Sequence, residues 1–109
     1  MSVRMSKAWL ACDAASIEAL PGQLGVFELA NEPGETLYIG CADARTLFGL
    51  RSAVRQRVEE FDDVVSFRVE ITTAYHTRWQ ELLMVHIADH GALPLHNEEV
   101  VGLGRLSPG

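Results

Sequence analysis

The spacing of apolar positions changes along the chain, and each change marks an element. Leu24–Leu29 (LGVFEL) and Thr36–Gly40 (TLYIG) are dense in β-branched and aromatic residues, the composition of strands. Between them stands Asn31-Glu32-Pro33-Gly34. Proline presets φ and glycine supplies positive φ, so the two runs are expected to form a hairpin. After a small polar connection, Cys41 to Phe48, the pattern becomes helical. Leu50, Val54 and Val58 recur at i, i+4, i+8 and predict a helix from about Gly49 to Phe61. Arg51 and Arg55 share a face of it, and Arg57 points elsewhere. Asp62-Asp63 marks a loop. Val64 to Thr73 then reads as a third strand, with Phe67, Val69 and Ile71 alternating with Arg68 and Glu70.

A second helix is expected from a cap near Thr77 to Asp89 or His90, with Gly91 as terminator. Trp79, Leu82, Leu83 and His86 form one stripe, yet Met84, Val85 and Ala88 occupy the far side, which predicts a buried helix. Glu81 is thus a carboxylate in apolar surroundings. Near the start, Ala14–Leu20 is a short helix stopped by Leu20-Pro21-Gly22. Lys7 to Cys12 reads equally as an edge strand or as part of that helix. The tail after about residue 101, within GLGRLSPG, reads as loose. Hairpin, helix, strand and helix in that order predict one small α+β domain over residues 1–109, its core spanning about 20–97. Its sheet is expected to be three-stranded and antiparallel.

Composition narrows what such a domain can do. Hydrophobic residues are 48% and charged residues 22%, which argues against disorder. The balance of 9 Lys+Arg against 15 Asp+Glu, net −6, argues against a basic coat protein or a non-specific duplex binder. The opening MSVRMSKAWLACDAAS has no sustained apolar run of the signal-peptide kind, and no window approaches the ~18 apolar residues of a membrane helix. Cys12 and Cys41, with no CxxC pairing, read as reduced thiols, so a cytoplasmic protein is expected.

The chemistry-bearing residues stand in a recognisable order: Gly25-Val26-Phe27 on the first strand, Tyr38-Ile39-Gly40 on the second, Arg51 on the first helix, Glu81 on the second, and Asn97 closing Pro94-Leu95-His96-Asn97. The arrangement resembles the GIY-YIG nuclease superfamily, the domain of excision-repair nucleases and some homing endonucleases. The resemblance covers roughly Leu20 to Asn97. It implies metal-dependent hydrolysis of a nucleic-acid phosphodiester, with DNA as the polymer partner and one Mg²⁺ or Mn²⁺ as cofactor. Glu81 would match the family's metal-binding carboxylate, Arg51 the phosphate-contacting arginine, Tyr38 the tyrosine that orders the nucleophile, and Asn97 the asparagine that ties the site together. Gly25, Phe27, Gly40, Arg45 and Arg55 would line the substrate. The chemistry is coherent, since Mg²⁺ can be held by one carboxylate plus a substrate phosphate, and a guanidinium matches phosphate bidentately.

Two departures open an alternative. Phe27 stands where the family carries a tyrosine active in proton transfer, and a phenyl ring has no hydroxyl to offer. The Cys41–Phe48 loop is also longer than the family's basic turn and lacks its lysine. The alternative is a catalytically degenerate domain that binds or regulates, with a protein partner. A small phosphorylated metabolite in place of a polymer is a third reading. Individually the residues have plainer explanations: Glu81 paired with Arg78 at i−3, Tyr38 as a strand aromatic, Arg51 and Arg55 as a solvated face. His86 and His90 have the i, i+4 spacing of a helical zinc pair, with no third ligand evident.

Overall fold

Strand β2 (Gly25–Ala30) is buried at all six positions, because both faces and both edges are covered. In the computed structural model, which describes residues 4–99, β2 pairs antiparallel with β3 (Thr36–Ala42) on one side and β4 (Ser66–Ile71) on the other. A short β1 (Leu10–Ala11) adds to β4 through Leu10 opposite Phe67 and Ala11 opposite Ser66. The sheet therefore has four strands in the order β1-β4-β2-β3, not the three the sequence implied. The ambiguous stretch Lys7–Cys12 contributes the extra edge strand.

Alternation sorts the side chains into two cores. Phe27, Leu29, Tyr38 and Phe67 pack with Ile17 of α1 (Ala14–Glu18) and with Leu50, Ala53 and Val54 of α2 (Gly49–Glu60). Val26 and Ile39 face the other way, against Leu82 and Leu83 of α3 (Tyr75–His90) and against Met5. The result is a helix–sheet–helix sandwich, an α+β domain.

Two local details differ from the sequence expectation, and a third, the start of α2, agrees with it. Helix α3 starts at Tyr75 with no side-chain cap at Ala74, and Thr72, not Thr77, serves its start by accepting the Ala74 N–H at 3.0 Å. A further short helix, α4 (Leu95–Glu99), follows Pro94. Helix α2 begins after Phe48, a residue at φ 63°. The tail beyond residue 101 lies outside the described residues. Among those described, no helix is long and apolar enough to cross a membrane.

Candidate functional site

The hairpin register sets the first half of the site. Phe27 lies opposite Gly40, and Tyr38 is two positions back on the same face. Both rings lean over Gly40, where an added Cβ would sit 2.6 Å from each. Glycine is needed there for ring packing. Gly25 is similarly required, because a Cβ would meet the Glu70 carbonyl oxygen at 2.2 Å.

Tyr38 is only 5% exposed. Its ring lies 5.9 Å from that of Phe27 and 5.5 Å from that of Phe61, centroid to centroid. The Arg57 guanidinium carbon lies 5.3 Å from its centroid, a cation–π approach. Burial pushes the phenol pKa above its ordinary value, and the nearby Arg57 charge opposes the rise only in part. The arginine that meets this tyrosine is thus Arg57, itself bonded to Glu60 at 2.6 Å, and not Arg51. Sequence reasoning missed Arg57 because a helical wheel relates it to Arg51 and Arg55 but not to the sheet.

The arginines expected to line substrate have partners within the protein. Arg51 Nε donates to the Leu20 carbonyl at 3.0 Å, tying α2 to the loop after α1. Arg55 pairs with Glu18 of α1. Arg45 projects into solvent, 93% exposed, with Asp43 3.7 Å away.

Glu81 sits on the other side of the sheet. Its Oε1 accepts from Arg78 at 2.5 Å, and the same guanidinium forks onto Glu70 of β4 at 2.8 and 3.1 Å. Glu70 alternates with Val69, which packs toward α2, so the Glu70–Arg78–Glu81 chain belongs to the α3 face. Tyr38 and Arg51 belong to the α2 face. Carboxylate oxygens are suitable donors for Mg²⁺ or Mn²⁺. Here, however, a largely buried guanidinium, 14% exposed, already stands between the two carboxylates as their cation. This donor set does not fit a divalent ion while Arg78 remains in place, so no metal-dependent step is derived from it.

Asn97 is fully buried at 0% exposure and does join elements. Its Oδ1 accepts the Ile39 N–H at 2.8 Å, and its Nδ2 donates to the Ile39 carbonyl at 2.9 Å. Trp79 Nε1 donates to the same carbonyl at 3.0 Å. Ile39 lies on edge strand β3, so these side chains satisfy backbone groups that a sheet edge would leave open. His96 beside it contacts Asp63 at 2.8 Å and stacks on Phe61 at 4.2 Å. Glu28 on β2 is a buried charge, matched by Arg68 at 2.7 Å, over which the Trp9 ring lies at 4.3 Å. Glu28 was invisible as a site residue because its strand reads as apolar.

The family model of a domain of unknown function (DUF7508) matches residues 1–89. Comparison with the curated proteins gives no match.

Proposed function

We propose that the chain, which belongs to the DUF7508 family, is a binding or regulatory module on a GIY-YIG-like scaffold rather than a working phosphodiesterase. One observation carries this reading: the hairpin lacks one of the two hydroxyls that the resemblance calls for. Phe27 has none, and that of Tyr38 is in a ring buried among Phe27, Phe61 and Arg57. Proton transfer to an attacking water needs a group within hydrogen-bond reach of it. The engagement of Glu81 by Arg78 supports the same reading.

The partner this surface favours is a protein. Of the described arginines all but the solvent-exposed Arg45 are hydrogen-bonded to a carboxylate or carbonyl of the chain itself, which leaves no continuous cationic track among the described residues for a phosphate backbone. The loop before α2 instead presents Leu47 at 71% and Phe48 at 61% exposure. Adjacent exposed apolar side chains of this kind suit a protein interface.

The test is a cleavage assay on branched and single-stranded DNA with Mn²⁺ or Mg²⁺, using wild type, Phe27→Tyr and Glu81→Ala. The wild type is expected to give only the background seen with Glu81→Ala. Metal-dependent cleavage by the wild type that Glu81→Ala abolishes would overturn the reading and restore a nuclease. Strong cleavage by Phe27→Tyr alone would identify the missing hydroxyl as the lesion.

A further inference from the structure

We propose that His86 and His90 form a site for a divalent transition metal of the zinc or copper class, at the C-terminal end of α3. The site is separate from Glu81 and from the Phe27–Tyr38 face of the hairpin, and it does not depend on the function proposed above. The spacing i, i+4 stacks the two side chains on one helix face. In the structure their ring centroids are 4.3 Å apart, with the planes tilted by 34°.

The decisive detail is the hydrogen bond beneath them. His86 Nδ1 lies 2.9 Å from the Ala92 carbonyl oxygen. A carbonyl can only accept, so Nδ1 carries the proton and the neutral ring keeps its lone pair on Nε2. A backbone carbonyl behind one ring nitrogen is the usual way a ligating histidine is oriented and made more basic. His90, exposed on the last turn, makes no hydrogen bond among the described residues that would compete for its nitrogens.

The electrostatic setting favours a cation. The rings stand at a helix C-terminus, where unpaired carbonyls concentrate partial negative charge. Asp89 lies between them in sequence and interacts electrostatically with both, although Arg4 holds its carboxylate through contacts of 2.6 and 3.0 Å. Both rings line a cavity of about 160 Å³ whose other charged groups are Arg4, Glu28, Arg68 and Asp89. With Glu28 matched by Arg68 and Asp89 by Arg4, the cavity has no unbalanced cation to repel the ion when the imidazoles are neutral.

Imidazole nitrogen suits Zn²⁺ and Cu²⁺ and is a poor match for Mg²⁺. No group of three His, Cys, Asp or Glu side chains is placed to hold a metal among the described residues. The site therefore supplies two protein ligands and leaves the remaining positions to water or to a small ligand in the cavity. With two protein ligands the ion would be exchangeable, in contrast to one in a closed four-ligand structural site.

The experiment is calorimetric titration of the untagged chain with ZnCl₂ near pH 7.5, followed by electron paramagnetic resonance of the Cu²⁺-loaded protein. One ion per chain is expected, with two coordinated nitrogens. Affinity should fall roughly tenfold or more in His90→Gln and in His86→Gln, while His76→Gln, on the first turn of the same helix, should behave as wild type. Metal binding should weaken in acid, because protons compete with the ion for the ring nitrogens. Equal zinc affinity in wild type and His90→Gln would overturn the proposal, as would no binding at all. The outcome is independent of the cleavage assay, which uses Glu81 and Phe27.

Discussion

Tyr38 has an ionisable hydroxyl in a place chosen for packing, and its titration reports that. Its folded-state pKa is raised, chiefly by burial, from a reference of 10.0. Below that reference both states hold the proton and the stability associated with it is fully present. As pH rises past 10.0 the unfolded phenol ionises first, so stability falls until the folded pKa is passed. Urea midpoints measured in steps above pH 9 should therefore decline more steeply in wild type than in Tyr38→Phe. The phenolate absorbance lost in that variant should be the later-rising component. Identical decline in both would mean that the hydroxyl is solvated. At this scale the sequence placed these residues on the elements where they stand, and their packing partners became visible only in the fold. Phe27, Tyr38 and Asn97 stand at the ends of hydrogen bonds and ring contacts that join the elements, and Gly40 leaves room for the two rings. The link from Glu81 through Arg78 to Glu70 was not legible, because Glu70 comes from a separate strand and shares Arg78 only once the chain has folded.

Helix α2 shows what hydrophobic spacing can and cannot specify. Leu50 and Val54 place the helix correctly, and both are completely buried. Its start depends instead on the chain passing close to Gln23: the Leu50 N–H donates to the Gln23 carbonyl at 2.9 Å, and a Cβ on Gly49 would lie 2.4 Å from the same oxygen. To reach that approach the chain turns through positive φ at both Phe48 and Gly49, 63° and 55°. Such strain has no sequence signature when one of the two residues is phenylalanine. For Phe48 the conformation costs about 1–2 kcal/mol, and its ring, 61% exposed, recovers little by burial. Phe48→Gly should therefore stabilise the isolated domain by about 0.5 kcal/mol after the extra entropy of an unfolded glycine, raising the urea midpoint with an unchanged slope. A destabilised variant would show that the ring packs in solution. A stabilised variant that no longer binds a protein partner would identify Phe48 as retained for contact rather than for folding.

Across the whole molecule, the two cores differ in how much of the chain they need. The α2-side core draws on residues from Ile17 to Phe67. The α3-side core needs nearly the full described length: Met5, Val26, Ile39, Leu82 and Leu83, with Leu93 packed against them. The sequence foretold the central elements because each carries its own periodicity. It left the ends open because Met5 and α4 acquire meaning only when the sheet brings β3 beneath them. Two of the contacts that hold the N-terminal segment over this face should differ in worth. Arg4 and Asp89 are 63% and 36% exposed, and a solvated pair contributes little. Met5 is 4% exposed within the core. Arg4→Ala should thus change stability little, whereas Met5→Ala should cost about 2 kcal/mol, the low end for a buried methionine. Denaturant melts would rank the two variants. Hydrogen exchange would locate the loss, with faster exchange in α3 and unchanged protection in α2. If Arg4→Ala proved the more damaging, the segment would be held by its charge rather than by burial of its side chain.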